Sequence, residues 1–386
     1  MSLAYRVATG LALAASLCVG RAEARPQRAA RAPVTCPGGH GASAAALTDE
    51  ALDQLDAGAN DRALSCADAA LAADPRSVPA LTARAAALAA LDRLDDAKTA
   101  YARALAIDAD DPRALQGAAD LYVRRLGPAR ENLETGLELA LRGMRAAAAR
   151  KDRDAAGLNA LVAGMAQNDL GRSHLALPLL ERAVAALPDD ADAVYEKGVA
   201  LFELCRFEEA HRAFERTLQL SPDDPWALHQ LGLLAERRGE ERRASQLLAK
   251  ARTLAPRDFE PELRMSAAEF KAEVQAAVAR LPEDEKRALR GVPVEVQDLP
   301  DAEDLRAVQP PLSPSILGLF RGPPEAEACT AADGPVCRTI VFYRKNLIRI
   351  ARDRKELLEQ IRITLEHELG HLHGLDDDEL REIGLE

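Results

Sequence analysis

The chain has 386 residues, enough for two or three domains, and 48% of them are apolar while only 3% are aromatic. The apolar excess is alanine and leucine, which favours closely packed small-residue helices. A formal charge of −12, with the bases interleaved among acids, excludes a nucleic-acid binder, because phosphate recognition needs a clustered basic face.

The first element is a leader. Arg6 precedes an apolar stretch from Val7 to Val19, and "RAEAR" follows, with Ala22 and Ala24 in the small-x-small pattern of a cleavage site. Residues 1–24 are therefore expected to be a signal peptide, too short for a stable membrane span. Leu17 occupies the place before Cys18 where a lipidated cysteine wants a small residue. The expected product is a soluble exported protein, periplasmic or secreted, that begins with a linker over 25–44. Five cysteines follow Ala24, and an oxidising compartment allows pairs. Cys329 and Cys337 bracket a turn-rich loop and are the best local disulfide pair. Cys36 and Cys66 offer a second bridge, which leaves Cys205 as a buried thiol.

Between residues 45 and 256 the sequence repeats. "AVYEKGVALFELCRFEEAHRAFERTLQLSPDD" from Ala193 superimposes on the stretch that follows Trp226 at a step of 34, so that Gly198 maps to Gly232, Ala210 to Ala244, and Pro188 to Pro222 to Pro256. "LSCADAALAADP" and "YARALAIDADD" obey the same step. This resembles the tetratricopeptide repeat family, whose unit is a helical hairpin of that length. About six units are expected, the stretch from Ala114 to Asp154 being lengthened. The resemblance implies a mainly α solenoid whose concave groove holds a protein or peptide partner. Trp226 reads as a core residue, and His174, His211 and His229, scattered on repeat helices, read as structural or solvated.

After "RDFEPELRM" the rhythm breaks, and a second domain is expected over 263–386. "SAAEFKAEVQAAVARLP" begins a helix, with Ser266 and Glu269 spaced as a capping box. "VPVEVQDLP", "ILGLFRG" and "RTIVFYRK" read as strands, and the prolines of "DAEDLRAVQPPLSPS" as loop. The basic stretch Arg344 to Lys355 reads as a solvated face. A helix then starts at Asp353 and ends at Gly374, where a left-handed cap is usual. Along it Leu358, Ile361, Leu365, Leu369 and Leu372 form an apolar stripe, with His367 and His371 toward the other side.

Two imidazoles at i and i+4 can share one zinc ion, and a glutamate directly after the first can act as general base toward a metal-bound water. His367, Glu368 and His371 fit that pattern, with Glu368 as the candidate catalytic residue. The stretch from about Leu263 onward also resembles a small bacterial zincin-like metallopeptidase family, on "FKAEVQAAVARLPEDEKRALRGVPVEVQDLP", "LGLFRG", "TIVFYRKNLIR" and "TLEHELGHLHGLDDDELREIG". That resemblance implies a small α+β zincin-like domain, Zn2+ on the motif helix and a neighbouring strand to hold an extended substrate. A third metal ligand is expected at Asp377 by metzincin-like spacing, with Asp376 and Asp378 as alternatives and His373 projecting elsewhere. Thr339 to Tyr343 is the strand expected to bind substrate, and the Tyr343 hydroxyl is the candidate oxyanion donor. The leading reading is an exported zinc metallopeptidase whose repeats recruit a protein partner or substrate. The rival is a scaffold of repeats with a degenerate or structural zinc module.

Overall fold

In the computed structural model the described residues are 5–6, 35–36, 41–259, 261, 263–330 and 336–385. The leader expected over 1–24 lies outside them except for Tyr5–Arg6. The chain divides into two compact units between Lys197 and Gly198.

Paired helices fill residues 44–254, from Ala44–Asp56 and Asn60–Ala73 through to Pro225–Arg237 and Glu241–Leu254. The turn between the two helices of a pair places one residue at positive φ: Gly58 and Asp92, 34 residues apart, and beyond the lengthened unit Gly171, Cys205 and Gly239, again at steps of 34. Glycine suits these positions because it lacks the Cβ that disfavours the left-handed region. Inside each pair the helices touch at a small residue. A Cβ on Gly164, Gly198 or Gly232 would come within 2.5–2.8 Å of Leu180, Phe214 or Leu248, sixteen residues on in each case. Alanines at zero exposure, such as Ala67, Ala100, Ala183 and Ala210, line the same seams. Low aromatic content and close helix approach are thus one property. Cys36 and Cys66 are bridged.

The lengthened unit has a visible cause. Helix Pro112–Asp120 runs into a π turn, Leu121–Arg125, and the next helix, Arg130–Arg150, has 21 residues. The π turn presents Arg124 to Asp120 and Asp192, each 3.0 Å away. Glu196 lies beside this pair and accepts a hydrogen bond from Asn168 at 3.1 Å. Burial, reinforced by Asp169, pushes the Glu196 carboxyl up to about 7.

In the C-terminal domain, Ser266 and Glu269 form the expected capping box at the start of Ala267–Arg280. The sheet runs in the order Tyr5–Arg6, Gly318–Arg321, Thr339–Tyr343, Val294–Gln297. Thr339–Tyr343 pairs antiparallel with Gly318–Arg321 and parallel with Val294–Gln297. One sheet face, through Phe320, Ile340 and Phe342, packs on the motif helix Arg354–His373. The other, through Leu319, Val341 and Tyr343, packs with Leu305, Ile316 and Cys205 of the repeat hairpin. Cys205 is the free, buried thiol, raised to about 11 by burial foremost.

Two sequence expectations need correction here. Trp226 is 45% exposed, because its place in the first turn of Pro225–Arg237 faces outward, as Asp192 does 34 residues earlier, and it stands edge-on to Phe259 at 4.7 Å. The basic stretch is a solvated face only in its second half, where Arg352, Arg354 and Lys355 are exposed; in the first, Arg349 pairs with the Glu236 carboxylate at 2.5 Å and Lys345 with Glu241 at 3.0 Å, tying helix Arg344–Ile350 to the last repeat. His229 does prove structural, stacked on Phe259 and lowered to about 4 by burial and then by Arg349 and Arg252.

Two outcomes follow from this packing. Gly198→Ala drives a methyl into Phe214 and should cost about 1–3 kcal/mol, read as a lower urea midpoint at unchanged slope. The Glu196 carboxyl titrates higher folded than unfolded, so its favourable contribution is full below its ordinary value of 4.5 and is lost as pH rises through about 7. Glu196→Gln should therefore lose less Tm between pH 5 and pH 8 than the parent chain, measured by thermal melts at both values.

Candidate metal centre

The motif helix begins at Asp353, whose side chain accepts from the Glu356 N–H at 2.8 Å, and ends at Gly374 with φ 98°. Its core stripe starts at Leu357 rather than Leu358, and continues through Ile361, Leu365, Leu369 and Leu372. His367 and His371 are themselves 4% and 1% exposed. The histidine side of the helix is covered by the chain after Gly374, which returns as the short helix Asp377–Glu382. Leu380 of that helix fills the notch left by Gly370, where a Cβ would sit 2.3 Å from its Cδ2. The glycine of the motif is therefore required by packing from above.

This return brings three donor atoms together. The Nε2 atoms of His367 and His371 lie 3.0 Å apart, and Asp377 Oδ1 lies 3.5 and 3.4 Å from them. A tetrahedron with metal–ligand bonds of about 2.0–2.1 Å has edges of about 3.3 Å, close to all three separations. Each histidine is oriented through its other nitrogen. Nδ1–H of His367 donates to the Leu385 carbonyl at 2.7 Å, and Nδ1–H of His371 to the Leu375 carbonyl at 2.9 Å. With both protons so placed, two imidazole lone pairs face one another in a buried space, an arrangement that calls for a cation between them. Asp377 Oδ1 and both carboxyl oxygens of Glu368 are likewise buried without a hydrogen-bond partner. On these donors the residues fit a zinc ion.

Partial burial works to raise the Asp377 carboxyl, but the His367 and His371 imidazoles beside it hold it well below the usual carboxylate range. Glu368 behaves oppositely. Wholly buried, it is pushed up to about 8 by burial, against the opposing influence of His367 and the Phe320 N–H. Its place is set by Gly318 on the strand beside it, where a Cβ would meet Glu368 Oε1 and Thr364 Cγ2 at 2.6 Å.

The other candidates fall elsewhere. Asp376 caps the short helix in a box with Glu379, and Asp378 pairs with Arg381. His373 projects away, between Glu285 at 2.9 Å and Glu325 at 2.8 Å. Tyr343 is not at the site: side chains alternate across a strand, and the 343 position shares the Val341 face, opposite the motif helix, where burial foremost holds its hydroxyl well above the usual range. Thr339–Tyr343 cannot accept an added strand either, since it is paired on both sides. The strand beside Glu368 is Gly318–Arg321, and Tyr5–Arg6 aligns antiparallel along its outer edge. Sequence reasoning missed the Leu375 and Leu385 carbonyls, because any residue supplies a carbonyl. The glycines before them, Gly374 and Gly384, were the visible signal. The expected Cys329–Cys337 bridge closes the loop leading back to the sheet.

Residues 289–385 match the family of zincin-like metallopeptidases, and residues 48–112 and 161–225 match the tetratricopeptide repeat. The chain joins tetratricopeptide repeats to a zincin-like metallopeptidase domain. No curated protein matches it. Among solved structures, PilF of Pseudomonas aeruginosa is 17% identical, covers 55% of this chain and 92% of its own, and has a TM-score of 0.47. PilW, a type IV pilus biogenesis factor, is 19% identical over 55% and 94%, with a TM-score of 0.48. YrrB, described as a repeat protein with an unusual peptide-binding site, is 22% identical over 50% and 94%, with a TM-score of 0.37. These are similar in repeat fold alone. No helix among the described residues is long and apolar enough to cross a membrane.

The contact at Gly318 in the zincin-like domain is directly testable. Gly318→Ala should displace the Glu368 carboxyl and lower stability by about 1–3 kcal/mol, and adding Thr364→Ala should recover part of that loss by opening the space, as read from urea midpoints of the double-mutant cycle.

Proposed function

We propose that this chain is an exported zinc-dependent metallopeptidase whose repeat array recruits a protein partner or substrate. The observation that carries this reading is the convergence of His367 Nε2, His371 Nε2 and Asp377 Oδ1 beside a buried Glu368 whose oxygens have no partner. His367, His371 and Asp377 would hold the metal. Bound there, zinc would supply Lewis acidity and lower the pKa of a coordinated water to near neutrality.

The remaining work falls to the chain itself. Glu368, raised to about 8 in the unliganded site by burial, would act as general base. A bound cation beside it favours the ionised carboxylate that this role needs. The strand Gly318–Arg321 is offered as the rail for an extended peptide, because it runs past Glu368 and its outer edge, taken by Tyr5–Arg6, would be freed by removal of the leader proposed over residues 1–24. Export is supported by the leader pattern in residues 1–24 and by the two disulfides, which persist in oxidising compartments. A partner in the repeat groove is supported by the repeat architecture, which presents extended concave surfaces.

The test is metal analysis joined to peptide-library cleavage. The purified chain should bind one zinc, and His371→Ala and Asp377→Ala should each lose most of it. Glu368→Gln should keep the metal while cleavage falls about 10²–10⁴-fold. Metal held by both the parent and Glu368→Gln, with cleavage by neither, would leave only the scaffold reading.

A further inference from the structure

The two helices of the site end in the same way. At the end of the motif helix, the Gly374 N–H donates to the His371 carbonyl at 3.1 Å and the Leu375 N–H to the Gly370 carbonyl at 2.9 Å. At the end of the short helix, the Gly384 N–H donates to the Arg381 carbonyl at 3.0 Å and the Leu385 N–H to the Leu380 carbonyl at 3.0 Å. Each pair of bonds is a Schellman motif, closed by a glycine in the left-handed region, at φ 98° for Gly374 and 81° for Gly384. In each case the chain then reverses, and the carbonyl of the next residue meets a histidine. Leu375 takes Nδ1–H of His371, and Leu385 takes Nδ1–H of His367.

We propose that Gly384 and Leu385 are the positioning element of His367, as Gly374 and Leu375 are of His371: a second glycine-closed helix end, ten residues after the first, supplies a backbone carbonyl that fixes the ring and its tautomer with Nε2 facing Asp377. Three observations bear on it independently of the hydrogen bond. Leu380, whose carbonyl anchors the second motif, is fully buried in the Gly370 notch, so the reversal is tied to the motif helix by packing. Asp377 opens the same short helix, so one rigid turn and a half places both a donor oxygen and the carbonyl that aims a donor nitrogen. A Cβ on Gly384 would meet nothing within 4 Å. The backbone conformation alone therefore requires glycine there, since a β-branched residue at positive φ is strained.

The role is one of positioning, and the inference rests on the metal-site reading above. Partners of this kind that orient ligating histidines typically contribute 10–100-fold in metal affinity. The side chain of Leu385 has no part in it; only its carbonyl does.

Three variants test this: Gly384→Val, a chain ending at Ile383, and Leu385→Ala, which keeps the carbonyl. Two readouts are used, 15N chemical shifts of the His367 and His371 ring nitrogens in metal-free protein, and zinc affinity by chelator competition. In the parent chain both histidines should show the Nδ1–H tautomer. In Gly384→Val and in the shortened chain, His367 should turn into a tautomer mixture and zinc affinity should fall about 10–100-fold. His371, still held by Leu375, should keep its signal and so report an intact fold. Leu385→Ala should match the parent in both readouts. A single His367 tautomer and parental affinity in the first two variants would overturn the proposal, as would a loss in Leu385→Ala equal to that in Gly384→Val. A parent chain that binds no zinc would sink the metal-site reading and this proposal with it, whereas equal binding by all four proteins would sink this proposal alone.

Discussion

Two imidazoles facing each other across 3.0 Å, Nε2 toward Nε2, are the constraint around which the C-terminal domain is arranged. Such a pair repels unless something positive stands between, and it is held here by carbonyls behind each ring rather than by any attraction in front. The tight return after Gly374, the peg of Leu380 over Gly370 and the absent side chain at Gly318 all serve to keep these groups, and Glu368 beside them, in a small dry volume. Dryness matters because charge interacts more strongly where water is excluded.

Burial sets the site's two carboxyl groups apart. Asp377 is part-exposed, lies beside both imidazoles and is held well below the usual carboxylate range, which suits the ligand role proposed for it. Glu368 is fully enclosed and holds its proton more readily, which suits the general base proposed for it. The same functional group, at positions nine residues and one helix turn-back apart, thus arrives at opposite acidities through its surroundings.

Much of this was legible in the sequence wherever a feature is local or periodic. The 34-residue step, the capping boxes, the three strands and the end of the motif helix at Gly374 all follow from spacing, because each is decided within one turn or one hairpin. The convergence of His367, His371 and Asp377 is also local, as all three lie within eleven residues. Legibility fails where the third dimension decides. Nothing local says that Thr339–Tyr343 lies between Gly318–Arg321 and Val294–Gln297, or that Tyr343 belongs to the far face once the register is set. Trp226 misled because the second position of a repeat's first helix faces outward, as Asp192 does 34 residues earlier. The first half of the basic stretch misled because its partners, Glu236 and Glu241, are more than a hundred residues earlier.

Those distant partners set a limit on how this molecule can vary. The hairpin of Cys205 and Phe207 covers the hydrophobic back of the sheet, the Arg306 guanidinium donates to the Cys205 carbonyl at 2.6 Å, and Glu236 answers the basic helix. The final hairpins are therefore the floor of the zincin-like domain as much as the last rungs of the ladder. Lengthening, shortening or exchanging units is tolerable only further toward the amino terminus, because a cut after residue 256 would take Cys205 and Phe207 out of this apolar cluster and open it to water.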